Sequence, residues 1–320
     1  MKKLSVLLTL SLVFCILLSS CGQTDTMEKA KALFDAGDYS AAMENYQGAA
    51  EKGNGEALYQ IGRMYLNGWG VDVDYKLAWE YSEKAVSGGY PMAANTLGII
   101  CQMGYDREQD LQAAVAYFEQ AAEAGSATAY QNLGGIYMRG LLGEPDYEKA
   151  YDCLKKAYDL GLTQAAAYIG SLYQYGLGRE VDYAAAMEWG KRGAEAGNAD
   201  AMFQIALMYD IGQGVEQNGE EAFKWYEKAA QGGNATAMNN LGDAYETGNY
   251  VEQDFAKAKE CYEKAVELGE MFGYVSIGGL YENGHGVEKD LEKAAEYYQL
   301  ALDNGCAQAQ QFLDALHTSE

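Results

Sequence analysis

The sequence repeats itself every 36 residues, and a chain built this way buries its apolar surface only by stacking one unit on the next. In register, Gly62, Gly98, Gly134, Gly170, Ala206, Gly242 and Gly278 fall in one column. The residue before each is Ile or Leu, from Ile61 to Ile277. Three positions after it Tyr recurs, as at Tyr65 and Tyr281, with Cys101 the single substitute. Alanine fills the whole column from Ala78 to Ala294, and each unit closes on glycine, from Gly89 to Gly305. The register defines seven repeats: 54–89, 90–125, 126–161, 162–197, 198–233, 234–269 and 270–305.

Within a repeat the apolar spacing is helical. Ala57, Ile61 and Tyr65 stand four apart on one face, and Gly62 lies on that face, where its missing side chain admits a neighbouring helix. This helix stops at Gly68. A second begins after Asp74, turns Ala78, Tyr81, Ser82 and Ala85 inward and ends at Gly88-Gly89. The Asp74 column is Asp in six repeats and Asn218 in the other, always directly before the second helix. That position suits an N-cap, whose side-chain oxygen accepts from free backbone amides. The recurrence favours capping over a metal-binding or catalytic row. The closing glycines fit left-handed C-caps. With 38 Gly, 2 Pro and 27 Tyr, the composition favours short, closely packed helices over a sheet. The expected fold is all-α, an α/α superhelical solenoid of antiparallel helix pairs.

The columns add up to the run Ala-x-x-x-Leu/Ile-Gly-x-x-Tyr-x-x-Gly, then Lys-Ala-x-x-Trp-Tyr-x-Lys-Ala-Ala, with single departures such as Cys101 and Ala206. The clearest copy of the second part is Ala222-Phe223-Lys224-Trp225-Tyr226-Glu227-Lys228-Ala229-Ala230. The pattern resembles the Sel1-like repeat, a relative of the tetratricopeptide repeat, over residues 54–305. The resemblance implies a helical scaffold that binds partners. Cysteine-rich secreted members pair cysteines within each repeat; these pairs are absent here, so no activity of that subgroup is carried over. Residues 27–53 are expected to form an atypical tetratricopeptide-like N-terminal cap, a short helix over 27–36 turning through Gly37-Asp38-Tyr39. Residues 306–320 are expected to form a C-terminal cap helix, with Leu313 continuing the apolar column.

The first 20 residues differ from all that follow. Lys2 and Lys3 precede a mostly apolar run from Leu4 to Leu18, which is short for a membrane span and suits a signal-peptide core. The run closes on Leu18-Ser19-Ser20-Cys21-Gly22, which resembles a bacterial lipobox. By that resemblance residues 1–20 are a lipoprotein signal, Cys21 carries the lipid, and 21–26 form a tether. Acylation by two or more chains would anchor the protein stably. An ordinary cleaved signal and a single membrane anchor are the alternatives. The expected location is extracytoplasmic, lipid-anchored to a bacterial membrane, at the outer membrane or the outer face of the cytoplasmic membrane.

Lys and Arg number 23 against 47 Asp and Glu, a net charge of −24, which repels phosphate backbones and excludes nucleic acid as a partner. The two histidines, His285 in a variable loop column and His317 in the terminal cap, have no Cys, His or paired carboxylate at ligand spacing. Cys101 replaces a core Tyr, while Cys153 and Cys261 share a column with Tyr81 and Trp225 three repeats apart and are expected to be buried free thiols. Cys15 lies in the signal, and the spacing of Cys306 fits no bridge or metal pattern. No nucleophile stands beside a base, and pairs such as Gly68-Trp69-Gly70 are repeat loops. No catalytic residue, metal or cofactor is expected.

What remains is a surface. In tetratricopeptide arrays the first helices line the concave face, and that resemblance picks out three variable rows here. One contains Tyr59, Asn95, Gln131, Phe203 and Asn239; a second contains Arg63 and Leu207; a third contains Arg139, Tyr175 and Ile211. Phe203, Leu207 and Ile211 stand four apart on one helix and form either an exposed apolar stripe or a seam against the next repeat. The expected function is a membrane-anchored, monomeric scaffold presenting this groove to a protein or peptide partner. A cell-envelope hydrolase and a glycan-binding structural lipoprotein are the alternatives.

Overall fold

The computed structural model describes residues 26–318, and the side chains of residues 317 and 318 are not among what it describes. The signal segment, Cys15, Cys21, nearly all of the tether and the His317 side chain therefore lie outside the described residues. The chain falls into two compact blocks divided after Gly161. Among the described residues there is no strand. The first block contains α1 (26–35), α2 (Tyr39–Ala50), α3 (Gly55–Asn67), α4 (Tyr75–Ser87), α5 (Ala94–Met103), α6 (Leu111–Glu123), α7 (Ala127–Arg139) and α8 (Tyr147–Asp159). The second contains α9 (Ala165–Gln174), α10 (Tyr183–Glu195), α11 (Ala199–Ile211), α12 (Gly219–Gln231), α13 (Ala235–Thr247), α14 (Phe255–Glu267), α15 (Phe272–Asn283), α16 (Leu291–Asp303) and α17 (Ala309–Thr318). Within each block helices pair into hairpins, and each hairpin packs on the next, which is an all-α solenoid. No helix among the described residues is long and apolar enough to cross a membrane.

Local chemistry sets the helix ends. Asp74 Oδ1 accepts the Leu77 amide at 2.8 Å, and Asn218 does the same for Glu221 at 3.1 Å. First helices are capped where the sequence supplies an amide or hydroxyl, as at Asn54, Ser126, Asn198 and Asn234. Where Tyr90, Leu162 or Glu270 takes that position, α5, α9 and α15 start without a side-chain cap. The closing glycines all adopt left-handed backbone, from φ +79° at Gly197 to φ +98° at Gly269. At the front, Gly37 has φ +81° and Asp38 caps α2.

The glycine column sets the spacing within each hairpin. A Cβ on Gly98 would lie 2.6 Å from the Phe118 ring, one on Gly134 2.8 Å from Leu154 Cγ, and one on Gly278 2.5 Å from the Tyr298 ring. Phe118, Leu154 and Tyr298 are almost fully buried, each side chain contributing about 1.5–3 kcal/mol of apolar burial. The pattern breaks in one hairpin. Opposite Gly170 the partner position is Gly190, and the space is filled from the following helix: Gln204 packs on Gly170 and Ile205 on Gly190. In the next three hairpins the partner is a tyrosine whose hydroxyl donates to an acid: Tyr226 to Asp210, Tyr262 to Asp243 and Glu246, Tyr298 to Glu282.

A second small-large pairing joins several loops to the preceding repeat. Gly70 sits on Tyr39, Gly214 on Tyr183 and Gly286 on Phe255, each glycine at positive φ. At one place the pair is inverted: Tyr250, at φ +68°, lies on Gly219.

The four cysteines among the described residues are free thiols, and Cys153 and Cys261, expected to be buried, are half-buried, as is Cys306. Cys101 is buried, and burial pushes the Cys153 thiol up to about 11. In the folded protein Cys153 should therefore resist iodoacetamide at pH 8 and react once urea unfolds the chain; rapid native alkylation would contradict its placement. Gly278→Ala should lower the urea midpoint, because overpacking costs about 1–3 kcal/mol against a helix-propensity gain of about 1 kcal/mol. Gly279→Ala, where nothing lies within 4 Å of the added carbon, should raise it. Paired urea titrations of the two variants check both signs.

Candidate functional site

In the first block α3, α5 and α7 line a recess of about 390 Å³. Tyr59 and Arg63 come from α3, Asn95, Thr96 and Ile99 from α5, and Thr128, Gln131 and Asn132 from α7, while Trp69 contributes from the loop after α3. Arg63 lies 5.6 Å from the Tyr59 ring centre and 5.2 Å from that of Trp69, and it donates to Gln60 Oε1 at 2.9 Å. Burial raises the Tyr59 phenol above its ordinary value, with Arg63 opposing. None of the lining residues is acidic. Asn95 is buried and accepts from Asn132 Nδ2 at 3.0 Å, so its amide joins two repeats.

The second block has two recesses along successive first helices. The first, about 210 Å³ between α9 and α11, is lined by Tyr168, Ser171, Gln174, Tyr175, Asp200, Phe203, Gln204 and Leu207. It adjoins the hairpin whose contact positions are both glycine. Gln204 leans over Gly170 and donates to Gln174 Oε1 at 2.9 Å, and Gln174 donates in turn to Gln213 at 2.7 Å. Gln204 Oε1 has no hydrogen-bond partner. Tyr175 is 57% exposed and Tyr168 40%. The second, about 250 Å³, brings Asp210 of α11 against Asn240, Asp243 and Thr247 of α13, with Phe223, Tyr226 and Tyr250 beside them.

The structure thus brings Tyr59, Arg63, Asn95 and Gln131 together in one recess and Tyr175, Phe203 and Leu207 in another. Arg139, Ile211 and Asn239 line none of the three. Arg139 is exposed and donates to its own helix at Gly135 O, 3.1 Å away. Ile211 is 57% exposed at the end of α11. Asn239 is buried and accepts from Ser276 Oγ at 3.2 Å, another link between repeats. Phe203 and Leu207 are half-buried at the edge of the α11–α13 core.

Sequence reasoning passed over Trp69, Asn132, Tyr168, Asp200 and Gln204. A signal existed for three of them. Gln60, Thr96, Asn132, Tyr168, Gln204, Asn240 and Ser276 form a column of hydrogen-bonding side chains next to the first variable row. His285 also has more to do than its variable column suggests, since its Nδ1 lies 2.8 Å from Glu246 Oε1 and its ring stacks on Phe255 at 4.8 Å. No group of three or more His, Cys, Asp or Glu among the described residues is arranged to hold a metal ion.

The Sel1 repeat profile matches residues 35–54, 55–90, 91–126, 127–162, 163–198, 199–234, 235–270 and 275–306. No curated protein sequence matches the chain. Among solved structures, the chain is similar to a protective antigen of uropathogenic Escherichia coli strains displaying an SLR fold. That match has 31% identity and a TM-score of 0.62, and covers 93% of this chain. This chain spans 65% of the length of that one. It is also similar to a Sel1 repeat protein from Oxalobacter formigenes, at 28% identity and TM-score 0.67, over 75% of this chain and 96% of the other. Yeast Tom70, 16% identical with a TM-score of 0.54 over 88% of this chain and 60% of that chain, shares the fold alone. The matched repeats run through nearly all of the described residues, and the chain belongs to the Sel1 repeat family.

Proposed function

We propose that this protein is a membrane-tethered scaffold outside the cytoplasm that presents its first-helix recesses to a protein or peptide partner. Sel1 repeats are commonly protein–protein interaction scaffolds and typically non-enzymatic. The observation that carries the reading here is the open recess between α9 and α11, where Tyr175 is 57% exposed beside Phe203 and Leu207. Repeat surfaces with aromatic anchors at regular spacing bind through several shallow contacts at once. In the first-block recess the ring of Trp69 is taken up by Arg63 on one side and by Phe34 at 5.2 Å, so it offers a glycan no free platform there.

Tethering is proposed from the sequence at Cys21, whose lipid would hold the repeats at a bacterial membrane surface. Cys21→Ala should move the protein from the membrane pellet to the soluble fraction; retention in the pellet would remove the anchor. In crosslinking capture from the native membrane, Tyr59→Ala with Phe203→Ala should lose the partners retained by the unmodified protein. An unchanged set would remove the groove.

A further inference from the structure

We propose that the face formed by α9, α11 and α13 receives a basic segment of a partner protein, its lysine or arginine side chains seated against Asp200, Asp210 and Asp243 with apolar residues between them. This rests on the scaffold reading and narrows it to one partner chemistry.

The three aspartates lie on the two neighbouring recesses of the second block, and no lysine or arginine lines either. Each is held by a neutral donor: Asp200 by Asn234 Nδ2 at 2.8 Å, Asp210 by the Tyr226 hydroxyl at 3.1 Å, Asp243 by the Tyr262 hydroxyl at 2.8 Å. These bonds orient the carboxylates; at Asp243, which shares the Tyr262 hydroxyl with Glu246, burial and the Glu246 charge raise the carboxyl above its ordinary value. The surrounding sequence adds to the field, since residues 162–320 hold 26 acidic against 10 basic residues. Elsewhere the protein neutralises acids locally, as at Lys155–Asp159 and Lys264–Glu260.

The recess beside the carboxylates suits a long cationic side chain. Tyr175 and Phe203 offer ring faces and Leu207 an apolar wall, which match the methylene stem and the charged head of lysine or arginine. Gln204 lines the same recess as a neutral wall, its Nε2 committed to Gln174 and its Oε1 buried on Gly170. The first block provides the contrast. Its recess carries Arg63 and no carboxylate, so the same cation finds no counter-charge there.

The test is fluorescence anisotropy with the full chain. The probe is a fluorescein-labelled dodecapeptide carrying two lysines and two leucines on a glycine–serine background. It should bind, weaken as salt rises, and lose about tenfold in affinity to the Asp200→Asn, Asp210→Asn, Asp243→Asn triple variant. Tyr175→Ser, an exposed position where misfolding is not at issue, should weaken it severalfold, and Glu144→Gln, at an exposed acid of the first block, should leave it unchanged. The proposal falls if the glutamate-for-lysine peptide binds equally well. It also falls if the serine-for-leucine peptide binds equally well, or if the triple variant retains full affinity. Loss of binding in Glu144→Gln would show that any acid of the chain serves, and would overturn it too. If no peptide binds while crosslinked partners still depend on Tyr59 and Phe203, the scaffold reading survives and this inference does not.

Discussion

Phe118 lies flat against the bare backbone of Gly98, at a separation that leaves no room for a single added carbon. The same contact recurs with Leu154 on Gly134 and Tyr298 on Gly278. Close approach of this kind converts one missing side chain into a large area of dispersion contact along the hairpin. The rest of the repeat depends on it. With the two helices held close, the alanine column at Ala78, Ala114 and Ala150 is fully buried, and variable first-helix side chains such as Tyr59 and Arg63 line a recess. The aspartate caps and left-handed glycines then stop each helix where the next must begin.

Departures from the column come in matched sets, and they are what distinguish one recess from another. Gly190 leaves a gap that Ile205 and Gln204 fill from the next repeat, and the Gln204–Gln174–Gln213 amide chain beside the α9–α11 recess follows from that replacement. Where the partner becomes Tyr226, Tyr262 or Tyr298, its buried hydroxyl requires an acceptor, and Asp210, Glu246 and Glu282 stand where the first block has Leu66, Gln102 and Met138. The second block acquires its inward acids in this way. Asp210 is thus both a packing partner of Tyr226 and part of a recess wall.

The hairpins, caps and free thiols could be argued from the sequence because each depends on contacts within a repeat, which a column displays. The variable rows were less legible. Asn95 and Asn239 share a column with Tyr59 and Phe203, yet the two asparagines are buried and bonded to the following repeat, and Asn239 lines no recess. That difference is set by the residue 37 positions onward, Asn132 for Asn95 and Ser276 for Asn239, which a reading in steps of 36 passes over. Trp69 was hidden for a related reason. Its loop column looks unconstrained, whereas its ring is fixed by Phe34 and Tyr39 of the atypical front segment and by Arg63.

The inverted pair at Tyr250 and Gly219 ties the identity of one position to that of the other. In the repeats that keep the ordinary arrangement, a loop glycine supports an aromatic ring, as Gly214 supports Tyr183. Exchange of the two partners has one passable order. Losing the ring first opens a hollow that the chain can tolerate; adding tyrosine to the loop first would force two rings into one space and a left-handed backbone on a bulky residue. The present pair is thus coupled: Gly219 is what admits Tyr250, so a ring added at 219 would collide with it, whereas glycine at 250 would leave only the tolerated hollow.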